Sequence, residues 1–309
     1  MATGAESRGG LPRAGYLGPE GTFSEEALLG SARPGAVEPV GLGSIYETVM
    51  ALRAGELVWA VVPIENSLEG SISATLDLLA GEAADVEIVG EALLRVRHSL
   101  IASGPVELGD IDIVLTHPQV PGQCSRFLRT ELPRARILAA GSTAEAVRTV
   151  AGDPRPGRAA LGTVLAARIY GGSVIREGVQ DRDDNETRFV WLARAGENAE
   201  PPLEGEGGSR WRTSLLFWGS GADHAGWLVR CLQEFAARDI NLTKIESRPR
   251  RDELGNYVFF VDLAARGDDE RLREALAGLG EICEAVRVLG SYRVAERPVG
   301  ALAPAQDPR

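Results

Sequence analysis

An α/β chain with one or two mostly parallel sheets, followed by a separate βαββαβ unit, is the architecture this sequence of 309 residues predicts. Three observations carry the prediction. Up to residue 193, short apolar runs alternate with helical patterns, the arrangement of strands joined by crossover helices. The stretch 196–209, GENAEPPLEGEGGS, is Pro, Gly and Glu without periodicity, and reads as a linker dividing the chain near residue 205. Beyond it, the order of the elements changes.

Strands are expected at 15–17, 37–39, 57–63, 86–97, 111–115, 135–139, 159–161 and 188–193. The run at 57–63 is apolar enough to be buried, and Pro63 must sit at its end or on an edge because it has no N–H to donate. Helices are expected to begin near Ser24, Ser44, Ser71, Gln123, Thr143 and Thr163. Thr22-Phe23-Ser24-Glu25 and Ser44-Ile45-Tyr46-Glu47 have capping-box spacing. Such caps stabilise a helix by about 1 kcal/mol each, so their first meaning is structural. After the linker, strands at 213–218, 242–249, 257–263 and 283–292 enclose helices at 226–238 and 270–279. This is a ferredoxin-like unit, with both helices on one face of an antiparallel sheet. Residues 1–12 and 299–309 read as loose tails.

The net charge of −11, from 33 basic and 44 acidic residues, argues against nucleic acid as a partner. Lys244 is the only lysine. Three widely spaced cysteines, Cys124, Cys231 and Cys283, imply no disulfide framework. No apolar signal region opens the chain and nowhere do eighteen apolar residues run together, so a cytoplasmic location without a membrane span is expected. The three histidines have no ligand-like spacing, no GxGxxG opens a helix, and the glycine-bearing turn at 18–24 lacks the lysine of a phosphate loop. Neither metal nor cofactor is expected.

The candidate chemistry lies where apolar runs end. At 181–186 a run of charge gives way to the apolar Val190-Trp191-Leu192, with Thr187, Arg188 and Phe189 between them. Strand ends of this kind are where α/β proteins place ligand groups. Glu65, Asn66 and Ser67 follow the buried run of the third strand and offer donors and acceptors side by side. Glu65 reads either as a general acid, if buried, or as an ionised group that orients its neighbours. Ser24, Gln123, Ser142 and Thr143 stand at expected helix starts, where free N–H groups favour anions. Cys124 reads as a packed thiol or, near a helix start, as one of lowered pKa. Hydroxyls, amides and helix starts with one arginine suit a small, multiply anionic molecule held between two lobes. A non-catalytic sensor of the same ligand would use the same groups.

These segments together resemble the prephenate dehydratase family. YLGPEGTFSEEA at 16–27, VVPIENSLEGSI at 61–72, HPQ at 117–119 with QC at 123–124, STAEA at 142–146 and NETRF at 185–189 are similar to that family's motifs, in its order. The resemblance covers residues 14–195. The second unit resembles an ACT regulatory domain, through NLTKIESRP at 241–249 and LGSY at 289–292. The implied domains are a catalytic region at 13–195, a linker at 196–210 and an ACT domain at 211–297. The resemblance implies two lobes like a type II periplasmic binding protein with the active cleft between them, and cofactor-free conversion of prephenate to phenylpyruvate, water and carbon dioxide. It also implies a homodimer or homotetramer inhibited by L-phenylalanine. Thr187 is the expected proton donor. Ser24, Glu65, Asn66, Ser67, Gln123, Ser142, Thr143, Arg188 and Phe189 are the expected substrate contacts, with Arg188 facing either a substrate carboxylate or Glu65. Gly226, Trp227, Leu228, Asn241, Leu242, Glu246, Ser247 and Arg248 are the expected effector contacts. Ala225 and Trp227 depart from the family's usual Pro and small residue, so Trp227 is either helix core or a plug that narrows the effector pocket.

Overall fold

The computed structural model describes residues 10–299, apart from 154, 198, 206, 207, 220, 222, 223 and 251–254. The expected loose tails at 1–9 and 300–309 lie outside the described residues. The first lobe begins with β1 (Arg13–Leu17), α1 (Phe23–Ser31), β2 (Glu38–Leu42) and α2 (Ile45–Arg53). It continues through β3 (Trp59–Asn66), β4 (Gly70–Ser71), α3 (Ser73–Ala80) and β5 (Val86–Arg95). The chain then crosses into a second lobe of β6 (Ser99–Ala102), β7 (Ile113–Thr116), α4 (Val120–Gln123), α5 (Ser125–Glu131), β8 (Arg136–Ala139), α6 (Thr143–Ala151), β9 (Arg158–Gly162), α7 (Val164–Tyr170) and β10 (Ser173–Arg176). It returns through β11 (Glu186–Arg194), which inserts between β3 and β5.

The expected strands and helix starts are present, with bounds shifted by a few residues. The sheets, however, are mixed, not mostly parallel. β1 pairs in parallel with β2 and β3, but β11 runs antiparallel to both β3 and β5. In the second sheet β7 is parallel to β8 and β9, while β6 is antiparallel to β9 and β10. The reason is the double crossover. A chain that leaves one lobe and later returns must enter each sheet once without a crossover helix, and such a strand enters antiparallel. β6 and β10 lie outside the expected strands; β6 follows within four residues of the end of β5, and β10 alternates half-buried and exposed residues.

The third unit contains β12 (Trp211–Trp218), α8 (Trp227–Ala236), β13 (Leu242–Pro249), β14 (Tyr257–Leu263), α9 (Glu270–Ile282) and β15 (Ala285–Arg293). Its antiparallel sheet runs β13-β14-β12-β15. One face is covered by the two helices around Phe217, Phe235, Leu272 and Leu279. The other face is not solvent-exposed: Leu216, Phe260, Leu289 and Tyr292 share a core with Leu76 and Leu79 of the first lobe. Gly290 makes this approach possible. A Cβ built there lies 2.0 Å from the Ile88 carbonyl oxygen of β5, a distance no side chain tolerates.

The linker is also less free than its composition suggests. Ala199 accepts from Trp59 Nε1 at 3.0 Å, Pro202 accepts from Arg33 N at 2.8 Å, and Leu203 pairs with Ala32. A two-residue strand, β16 (Pro298–Val299), then returns to the first lobe alongside β5. Residues 298 and 299 therefore belong to the first sheet, although composition reads as a tail from residue 299.

Candidate active site

Three of the helix starts repeat one local design: glycine, hydroxyl, two residues, glutamate. Thr22, Ser44 and Ser142 cap α1, α2 and α6 by accepting from the N–H three residues on. The paired glutamate reaches back to the glycine before the cap, at 2.5 Å for Glu25 to Gly21, 3.1 Å for Glu47 to Gly43 and 2.9 Å for Glu145 to Gly141. This is a capping box displaced by one residue, and it fixes the loops rigidly against their helices. Two of these helix starts, those of α1 and α6, face each other across the space between the lobes. That cleft measures about 820 Å³, within the roughly 300–1,000 Å³ of ligand pockets.

The lobes are held together at one side of the cleft. Thr163 Oγ1 donates to the Gly21 carbonyl at 2.6 Å, and the Tyr170 hydroxyl donates to the Glu20 carbonyl at 2.8 Å. Gly21, at φ +83°, packs where a Cβ would lie 2.7 Å from Ala166 Cα. Glu26 of α1 accepts from the Leu165 N–H, and burial nonetheless pushes its carboxyl up to about 7.

At the floor of the cleft β11 begins. Thr187 and Asn66 both line the cleft and are each 8% exposed. Asn66 Nδ2 donates to Thr187 Oγ1 at 2.9 Å and to Asn185 Oδ1 at 2.8 Å. Asn66 Oδ1 accepts the backbone N–H groups of Leu68 and Glu69, both at 2.9 Å, so the amide orientation is determined by its surroundings. Asn185 Nδ2 donates to Gln123 Oε1 at 3.1 Å, and Gln123 Nε2 donates to Glu69 at 2.9 Å. Thr187 thus accepts a hydrogen bond, and no acceptor among the described residues takes its own hydrogen. A hydroxyl in that state is a donor waiting for a ligand.

Ser24, Gln123, Ser142 and Thr143 also line the cleft. Four other expected substrate contacts do not. Successive residues of a strand face opposite ways, so Arg188 points to the far side of the sheet from Thr187. There it meets Asp262 of the third unit at 2.8 Å and Glu65 at 3.2 Å, with Glu91 at 3.6 Å. Of the two partners the sequence allowed, Glu65 is the one it has. Burial opposes the charge on Arg188, but the three carboxylates outweigh it and hold the guanidinium above its ordinary pKa. Glu65 also faces Lys244 at 3.3 Å, and Arg212 pairs with Glu91. Three cations thus balance three carboxylates at the junction of the units. Phe189 is core, packed with Tyr16 and Trp59. Ser67 is exposed and accepts from Glu186 N at 3.0 Å, which holds the loop and not a ligand.

Cys124 is buried and its thiol is pushed up to about 12, so it is the packed thiol of the two readings. Three cleft residues were given no site role from sequence: His98, Arg148 and Asn185, the last of which opens the NETRF motif. Arg148 lies in the last turn of α6 and is the one guanidinium lining the cleft among the described residues. A basic residue five positions after the expected helix start at Thr143 was a visible signal for it. Burial lowers the pKa of His98.

In the third unit, Trp227 is 2% exposed and packed at a tilt against Phe217 and Phe259, with its indole N–H donating to the Ile282 carbonyl. It is helix core. Gly226 opens α8 at φ +79°, Leu228 is half-buried beside it, and Asn241 and Leu242 lead into β13. Glu246 and Arg248 face the first lobe, where Ser71 donates to Glu246 at 2.9 Å and Arg248 pairs with Asp77 at 2.9 Å. Ser247 takes the opposite, exposed face.

Comparison with known proteins decides the lineage. A family model described as prephenate dehydratase matches residues 14–197, and one described as ACT domain matches residues 220–281. The chain belongs to the prephenate dehydratase family. With that family it shares decarboxylating dehydratase activity, that of a lyase. A prephenate dehydratase of Mycobacterium sp. (strain KMS) is 41% identical over 96% of this chain and 92% of its own. Among solved structures, the prephenate dehydratase of Arthrobacter aurescens in complex with L-Phe matches with a TM-score of 0.81 at 36% identity, over 94% of this chain and 93% of that one. A protein described as a novel type of quorum quenching acylase matches with a TM-score of 0.79 at 28% identity, over 92% of this chain and 98% of that one. Among the described residues, no helix is long and apolar enough to cross a membrane.

Proposed function

We propose that this protein converts prephenate to phenylpyruvate, water and carbon dioxide, that Thr187 delivers the proton to the departing hydroxyl, and that L-phenylalanine controls it through the ACT domain. The observation that carries the reading is the bond from Asn66 Nδ2 to Thr187 Oγ1, which occupies a lone pair and leaves the hydroxyl hydrogen for the cleft.

The reaction balances without a cofactor. The bond from the ring to its carboxylate breaks and releases carbon dioxide. The electron pair moves through the ring and expels hydroxide from the opposite carbon, and one proton converts hydroxide to water. Aromatisation of the ring drives the sequence. Thr187 is a poor acid, so it relays a proton only along a well-aligned path, and alignment carries the rate. The starts of α1 and α6, with Ser24, Ser142 and Thr143, suit the carboxylates of the substrate, and Arg148 supplies a full positive charge. The remaining N–H of Gln123 Nε2 is available to the keto oxygen. A homodimer or homotetramer is the assembly this reading expects, in a cytoplasmic enzyme.

Thr187→Val keeps the shape and removes the hydroxyl. It should lower kcat for prephenate by roughly 10²–10⁴-fold, the usual size of a general-acid contribution. A folded Thr187→Val enzyme with undiminished turnover would falsify the assignment. Running arogenate beside prephenate in the same assay tests the substrate. Preference for the aminated compound overturns the prephenate reading, and turnover of neither would leave a binding module.

A further inference from the structure

His98 is a buried titratable side chain in the cleft that the reaction above does not use. It lies on the crossover between β5 and β6 and is 1% exposed. The return crossover fixes its backbone: His98 N donates to Gln180 Oε1 at 3.0 Å, and its carbonyl accepts from Val179 N at 3.0 Å. Phe23 of the first lobe stands edge-on to the ring at 5.3 Å, and Gln123 of the second lobe meets Nε2 at 3.0 Å. Nδ1 is buried without a hydrogen-bond partner.

The direction of every bond between His98 and Thr187 is set from the two ends. At one end, Asn66 Oδ1 is taken by two backbone N–H groups, so Nδ2 must face Asn185 Oδ1 and Thr187 at 2.8 and 2.9 Å, with the Glu186 carbonyl farther off at 3.3 Å. At the other, the Glu69 carboxylate takes Gln123 Nε2, since an ionised carboxylate only accepts. Gln123 Oε1 therefore faces Asn185 Nδ2 and His98 Nε2. An amide oxygen cannot donate, so the hydrogen between Gln123 and His98 must belong to the imidazole. A second hydrogen on Nδ1 would be buried with nothing to accept it.

We propose that His98 is a positioning residue, whose neutral Nε2–H form clamps the Gln123 amide and, through Asn185 and Asn66, sets the direction in which Thr187 presents its proton. This deepens the reading above and rests on Thr187 as donor. The tautomer is the essential element. With the hydrogen on Nδ1 instead, two lone pairs would face each other at Gln123, the amide would turn over, and the bonds to Glu69 and Asn185 would be lost together.

His98→Leu removes the donor at similar bulk, and His98→Gln restores an N–H near the position of Nε2. His98→Leu should lower kcat for prephenate roughly 10²-fold with a smaller rise in KM, the effect of a misplaced catalytic group together with a loosened Gln123 amide. His98→Gln should recover about tenfold or more of that loss, since the restored donor makes the same kind of bond. A ¹⁵N spectrum of the unaltered full-length protein should report a protonated Nε2 and a bare Nδ1 for His98. Unchanged kcat in His98→Leu, equal impairment in both variants, or an Nδ1–H tautomer would each overturn the proposal. The spectrum decides the matter even if His98→Leu does not fold. Undiminished turnover by Thr187→Val removes the parent reading. An inactive Thr187→Val beside a fully active His98→Leu removes this inference alone.

Discussion

At position 188 the chain gives the clearest case of a residue whose chemistry is evident and whose address is not. An arginine beside a candidate proton donor invites pairing with a substrate carboxylate. The strand period sends it the other way, into a junction where Glu91 is 4% and Asp262 6% exposed. Removing one member of a buried ion pair leaves the others uncompensated and costs about 3–5 kcal/mol. Arg188→Met should therefore lower the urea midpoint by a corresponding amount, while KM for prephenate in the remaining folded enzyme stays unchanged. A large rise in KM without loss of stability would return Arg188 to the substrate. Asn66 and Thr187, by contrast, stand where their strand ends promised, because a polar residue closing a buried run has only the rim to occupy.

The elements were legible where local chemistry specifies them. Thr22, Ser44 and Ser142 cap the helices whose starts they mark, and the run at 57–63 overlaps β3, whose first four residues are buried on both faces. What no local pattern shows is how one element meets another. The contact of α1 with α7 brings Glu26 against the start of α7, where burial raises its carboxyl from 4.5 to about 7. The sign follows from proton linkage: the folded state binds the proton more tightly, so this group favours folding below pH about 4.5 and loses that contribution as pH rises through about 7. Glu26→Gln should thus gain up to about 3 kcal/mol over the unaltered protein at pH 8 and nothing at pH 4, by the roughly 1.4 kcal/mol per pH step of linkage. Chemical unfolding at the two pH values checks this, and an equal effect at both would exclude titration as its origin.

For the molecule as a whole, the third unit is not an appendage on a tether. The central strands of its sheet, β12 and β14, are buried under its own helices on one face and against the first lobe on the other, and Arg188 joins the sheet to the strand that carries Thr187. A change in the ACT sheet has a direct mechanical path to the strand that carries Thr187. L-phenylalanine at saturation should weaken prephenate affinity by about 5–150-fold, the range of coupling energies near 1–3 kcal/mol. Steady-state kinetics with and without L-phenylalanine measures this, and flat kinetics with no heat in calorimetry would refute it. Trp227 is packed in the core of the third unit, so Trp227→Ala should damage stability before it alters any response to L-phenylalanine.

The sequence by itself determined the order of elements, the two kinds of unit, the helix caps and the ends of strands at which polar groups emerge. Each follows from interactions within a few residues: a hydroxyl and an N–H three positions away, or an apolar run too long to hydrate. Tertiary structure decided which lobe each strand joined, which side of β11 became the cleft, and that Glu65, Glu246 and Arg248 hold the units together. It also brought His98, Gln123, Asn185 and Asn66 into one directed chain. Those outcomes depend on groups as far apart as Asn66 and Asn185, 119 residues in sequence, and only closure of the lobes brings them within 2.8 Å.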